Sequence, residues 1–126
     1  ITDTLYAVMQ MELPGELAPL HRHTPTALRF TLEAVCGTTT AHGEKNTLHP
    51  WDSIITPSWR WHQHQNDTAK PIFWLDGLDP PLLHFLKPGF RQDRLPAGQT
   101  LEPRPDGDAL ARYGAGLIPL EHRPTR

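Results

Sequence analysis

The chain has 126 residues, a formal net charge of −2 and 21% charged residues, enough for one compact domain and without the basic field that nucleic acid requires. No apolar stretch approaches the ~20 residues of a membrane-spanning helix. Cys36 is the single cysteine, so an internal disulfide is excluded and no secreted scaffold is indicated. With no secretory leader visible, a cytoplasmic protein without membrane or nucleic-acid partners is expected.

Nine glycines and fourteen prolines punctuate a series of short β-prone runs. Thr4 to Leu13 (TLYAVMQMEL) predicts a strand ended by the turn Pro14-Gly15. Leu17 to His23 predicts a second, interrupted by Pro19. Ala27 to Val35 (ALRFTLEAV) predicts a third, with Leu28, Phe30 and Leu32 on one face and Arg29, Thr31 and Glu33 on the other. Thr38 to Ala41, the turn His42-Gly43 and Asn46 to His49 predict a hairpin. Ser53 to Thr56, Trp61 to His64 and Ile72 to Leu75 (IFWL) complete the strands. This spacing, with no helical periodicity between, indicates an all-β sandwich or barrel over residues 1–86. Residues 87–126 hold six of the fourteen prolines and little apolar pattern. They read as an extended arm or inter-domain linker, with one helical turn at Asp108 to Tyr113.

Chemistry concentrates in two segments. In HRHTPTALRF, residues 21–30, His21 and His23 share a strand face while Arg22 points away, and Arg29 follows as a lone cation. Taken alone, that stretch is equally a Thr- and Pro-rich surface loop. In PSWRWHQHQN, residues 57–66, His62 and His64 repeat the spacing. Two His-x-His strands in a small barrel bring imidazoles to one place, and three neutral imidazoles with open positions describe a catalytic metal site.

These residues carry a resemblance. Gly15, His21 and His23 match the first half of the cupin signature, and Pro57, His62 and Asn66 match the second. Most cupins add a glutamate after the first pair, whereas here Thr24 to Leu28 offer no carboxylate. With HRHTPTALRF, TPSWRWHQHQN and WLDGLD in order, the chain resembles the gentisate 1,2-dioxygenase family, whose close relatives cleave salicylate and 1-hydroxy-2-naphthoate. The resemblance runs on into PRPDGDALARYGAGL, which looks like the linker after the first cupin of such enzymes.

The resemblance implies a cupin fold, a double-stranded β-helix or jelly-roll barrel, with an extended C-terminal arm. It implies Fe(II) held by His21, His23 and His62, and ring cleavage of gentisate (2,5-dihydroxybenzoate) by O2 to maleylpyruvate. Salicylate or 1-hydroxy-2-naphthoate cleavage at the same site, and a non-catalytic cupin that binds metal or an aromatic acid, are the alternatives. Substrate-contacting positions fall on Gln10, Arg29 and Tyr6, with Arg29 expected to pair with the substrate carboxylate. His64 is expected to take or return the phenolic proton, and Asp76 to accept from a ring hydroxyl or orient His64. A homo-oligomer is expected, and the family's N-terminal segment and second cupin lie outside these residues. Two departures stand out. Glu33-Ala34-Val35-Cys36 replaces a glycine-rich turn, and Trp51 stands in HPWD where a glycine is expected. At a positive φ, tryptophan there costs roughly 1–2 kcal/mol or forces another turn.

Overall fold

A computed structural model describes residues 2–33 and 37–117. The Ala34–Cys36 part of the altered turn lies outside the described residues. In chain order the elements are β1 (Tyr6–Glu12), β2 (Leu17–His23), β3 (Ala27–Glu33), β4 (Thr38–Ala41), β5 (Glu44–Thr47), β6 (Ser53–Thr56), β7 (His62–Gln65), β8 (Ile72–Leu78), α1 (Pro80–Leu86), β9 (Arg91–Gln92) and α2 (Asp108–Tyr113). The strands form two antiparallel sheets, one ordered β1-β8-β3-β6 and the other β5-β4-β7-β2-β9. Successive strands mostly alternate between the sheets, so the chain winds as a jelly roll. No helix among the described residues is long and apolar enough to cross a membrane.

The strands fall where alternation and turn residues put them, with two shifts. The hairpin partner of β4 is Glu44–Thr47, because His42 (φ 51°) and Gly43 (φ 89°) alone form the turn and Ala41 faces Glu44. Positive φ at both central residues is the two-residue turn whose twist matches antiparallel strands. In β3 the alternation is as read, but the polar face points inward: Ala27, Arg29 and Thr31 are buried while Leu28 is exposed. The helix α1 was not anticipated. Its signal is local, with Pro80 and Pro81 occupying the first helical positions, where a missing N–H costs nothing, and Lys87 in the left-handed region closing it before Pro88.

The apolar core is small. Leu48, Ile72 and Trp74 are fully buried, with Ile54 packed against them. The remaining interior is polar, including Arg29, Thr39, His62, His64 and Asp76. Outside, Met9 lies opposite Leu75 and Leu28 opposite Ile55, so the outer face of the four-stranded sheet is apolar and exposed.

Trp51 does adopt the positive φ that glycine would favour, at 74°. The turn is retained because it is pinned on both sides. The Trp51 N–H donates to the Thr31 carbonyl at 2.8 Å, Asp52 Oδ2 accepts from the His49 N–H at 2.9 Å, and the indole lies 6.1 Å from the Phe30 ring.

The arm is fastened at two points. Near its start β9 pairs with β2, and farther on the Arg104 N–H donates to the Gly43 carbonyl at 2.9 Å while Glu44 Oε2 accepts from the Ala109 N–H at 2.9 Å. A Cβ on Gly43 would collide with the Glu102 carbonyl oxygen. Gly43→Ala should therefore release the second fastening and leave the barrel folded. Limited proteolysis should show earlier cleavage within residues 102–109, with the cooperative melt of the barrel retained.

Candidate metal centre and its buried polar network

His21, His23 and His62 offer ligand nitrogens that all lie within 4.8 Å of one another. The sheet register explains the meeting, since His21 is the Cα partner of His62 across β2 and β7, and His23 follows on the same face of β2. A register shift between Ala18 and His21 accommodates Pro19, which cannot donate to the ladder.

Each ring is also fixed by its own backbone. His21 Nδ1 donates to the Pro19 carbonyl at 2.7 Å, His23 Nδ1 to the Pro25 carbonyl at 2.8 Å, and His62 Nδ1 to the Arg60 carbonyl at 2.8 Å. A carbonyl can only accept, so the proton of each neutral ring is assigned to Nδ1 and the Nε2 lone pair is left free. That is the arrangement that orients metal-binding histidines. Burial lowers the His21 imidazole below its usual range and takes His62 down to about 4, where its two histidine neighbours push the same way. His21 and His62 are therefore neutral at neutral pH, as metal ligation requires.

Behind the trio lies a second network. Arg29, 6% exposed, donates from Nε to Asp76 Oδ1 at 3.0 Å and from Nη2 to Asp76 Oδ2 at 3.0 Å. Asp76, 2% exposed, also accepts from Gln10 Nε2 at 2.8 Å and from Trp74 Nε1 at 3.1 Å. The guanidinium sits 4.2 Å above the Trp74 ring. Its Nη1 donates to His64 Nδ1 at 2.6 Å, and the Thr39 hydroxyl lies 3.0 Å from the same nitrogen. The same Nη1 also lies 3.1 Å from His64 Nε2, so the guanidinium faces both ring nitrogens. Burial and the adjacent Arg29 charge push His64 down to about 2.

An open cavity of about 670 Å³ joins the two groups, its wall including Gln10, Arg29, His64 and Asp76 along with the three histidines. The structure thus brings together every expected site residue except Tyr6, which is 47% exposed and lines a separate shallow groove beside Leu5 and Leu28. Asp76 does not touch His64 directly; Arg29 stands between them. Four donors occupy its oxygens, so it holds Arg29 and Gln10 in place and has little capacity left for a ring hydroxyl. Sequence reading missed Thr39 and Trp74. Trp74 could have been found from its position two residues before Asp76 on one strand face, whereas Thr39 left no signal.

Residues 8–77 match the cupin domain family. With the jelly roll and the three-histidine cluster beside it, the chain belongs to the cupin family. Within the cupins it is similar to gentisate and salicylate 1,2-dioxygenases. It is 43% identical over 125 residues to gentisate 1,2 dioxygenase 1 of Aquipseudomonas alcaligenes, covering 98% of this chain and 35% of that protein. The crystal structure of a salicylate 1,2-dioxygenase from Pseudaminobacter salicylatoxidans superposes with a TM-score of 0.76 at 33% identity, covering 95% of this chain and 34% of that one. Adducts of that enzyme with gentisate give 0.74 at 33% identity, covering 95% and 33%. The chain spans about a third of the length of the relatives it matches.

The histidines also set a pH dependence. His62, and more so His64, bind a proton less readily in the folded protein than at their ordinary 6.5 in the unfolded chain. The unfolded chain therefore takes up more protons as pH falls below about 6.5, and stability is lost toward about pH 4 and beyond. Glu12 acts oppositely between its ordinary 4.5 and about 6, to which burial raises it. Two strongly lowered imidazoles outweigh one raised carboxyl. The metal-free protein should accordingly melt at a lower temperature at about pH 5 than at about pH 7.5. A midpoint that rises on acidification in calorimetry would contradict this.

Proposed function

We propose that this chain carries the Fe(II) site of a ring-cleaving dioxygenase for hydroxylated benzoates, with gentisate as the substrate and maleylpyruvate as the product. The observation that carries the reading is the trio of imidazoles, each locked by a carbonyl on Nδ1, with no carboxylate among them. Its support from outside the chain is the similarity to gentisate and salicylate 1,2-dioxygenases. His21, His23 and His62 would hold the metal. When bound, a divalent iron would supply coordination positions for the substrate's chelating oxygens and for O2, and the redox chemistry between them. Neutral ligands leave that ion its full charge, which suits an anionic chelating substrate.

The remaining roles follow from the polar network. Arg29, held by Asp76 and stacked on Trp74, keeps Nη1 toward His64 and the cavity, and Gln10 adds an amide carbonyl beside it. His64 is held neutral against Arg29 at the cavity wall. Its conjugate acid would sit against the Arg29 guanidinium, so it is a poor acceptor for the phenolic proton. The expected homo-oligomer has its support in the exposed apolar face of the four-stranded sheet.

Oxygen uptake tests the reading directly. The chain loaded with Fe(II) under anaerobic conditions should consume O2 on addition of gentisate and release maleylpyruvate. His62→Ala should lose both iron and uptake while keeping a cooperative melt. Stoichiometric iron with no uptake on gentisate or salicylate would leave a binding cupin in place of an enzyme.

A further inference from the structure

Among the described residues, the buried side-chain polar atoms without a hydrogen-bond partner belong to two residues, Glu12 and Thr31. A lone hydroxyl in such a place costs little beside a lone carboxylate. Glu12 is 6% exposed, and neither of its side-chain oxygens is bonded. Every other member of the interior polar network is satisfied, so this group stands out.

Its place follows from the pleat of β1. Gln10 points inward onto Asp76, and Glu12, two residues on, shares that inner face. The Cα partner of Glu12 on β8 is Ile72, a member of the apolar core. Gln10 lines the metal cavity, and so does Ala18 of β2. The Ala18 N–H favours the ionised carboxylate without completing a hydrogen bond to it. Glu12 therefore stands close behind the cavity wall, between the apolar core and the polar network.

The charges around it are few. Arg29 of β3 attracts its negative charge, and Glu16, in the turn before β2, repels it. The other titratable groups on the neighbouring inner faces are Asp76 of β8 and His64 of β7, the ladder partner of Ala18. Asp76 is filled by its donors, and His64 is neutral. Burial prevails over the pull of Arg29 and raises the Glu12 carboxyl to about 6. Ionised, Glu12 is a second carboxylate acting on a guanidinium that Asp76 already neutralises. An anionic ligand on the Arg29 side of the cavity would meet that surplus charge through a medium that screens it poorly. Protonated, Glu12 adds no charge.

We propose that Glu12 determines the ligand charge that the metal cavity accepts: ionised, it holds anionic aromatic ligands off, and protonated, it leaves Arg29 opposed by Asp76 alone, so that an aromatic acid is bound with uptake of a proton at Glu12. The coupling is reciprocal, since a bound anion must in turn favour the protonated carboxyl. The proposal deepens the hydroxybenzoate reading and rests on it.

The test is a titration of salicylate onto the full chain loaded with Fe(II) without O2, for the parent, Glu12→Gln and Glu12→Leu. The leucine variant fills the space beside Ile72 without a polar atom and repeats the comparison should glutamine disturb the packing. Both variants should bind salicylate as the parent does at about pH 5, and about three- to tenfold more tightly at about pH 7.5. Calorimetry at about pH 6.5, in two buffers of different ionisation enthalpy, should show the parent taking up more protons on binding than either variant. Parallel pH profiles for the three chains, or equal proton uptake, would overturn the proposal. Iron-loaded parent that binds no salicylate at any of these pH values would instead overturn the hydroxybenzoate reading, and the role of Glu12 with it.

Discussion

The interior of this barrel is organised around one buried ion pair, the two-pronged contact of Arg29 with Asp76. Two charges withdrawn from water inside so small a domain are tolerable only if every remaining polar atom finds a partner. Gln10, Trp74, Thr39 and His64 are those partners, drawn from β1, β8, β4 and β7. Much of the arrangement follows from this. The guanidinium must lie on the inward face of β3, so Leu28 and its neighbours are turned outward. Its charge forbids a second cation beside it, so His64 stays neutral. The apolar core is confined to Leu48, Ile72 and Trp74, and Trp74 joins it to the ion pair.

Such a pair is weak evidence for stability, because desolvation offsets most of the attraction, while removing either partner strands the other. Its value here is geometric. A paired and stacked guanidinium does not wander, and the imidazole it touches has one orientation. The three cavity histidines are held by a different device, each by a carbonyl two residues away in the chain. Long-range charge fixes the rear of the site and local backbone fixes its front, so the two halves depend on different parts of the sequence.

Strand β2 links the site to the rest of the molecule. One of its faces carries His21 and His23, and the other carries Arg22 between two indoles. The strain at Trp51 belongs to the opposite sheet and is local, held by hydrogen bonds to Thr31 and within its own turn.

The sequence by itself determined most of the strands and their turns, because alternation is local and period-two geometry leaves no choice of face, and it offered four paired histidines from which the family resemblance singled out His21, His23 and His62. It also carried Trp51, since a glycine position in a known turn constrains φ whatever the neighbours. The fold family was legible in the same motifs. Other features were decided only by the tertiary structure. Which face of β3 points inward depends on Asp76, 47 residues away, and no local pattern encodes that partner. The helix at Pro80–Leu86 was hidden because its apolar residues remain largely exposed, so it never shows the one-sided periodicity by which helices are recognised. Thr39 reaches the site through strand register. That is a long-range pairing fixed by the packing of whole elements, not by the residues beside it in the chain.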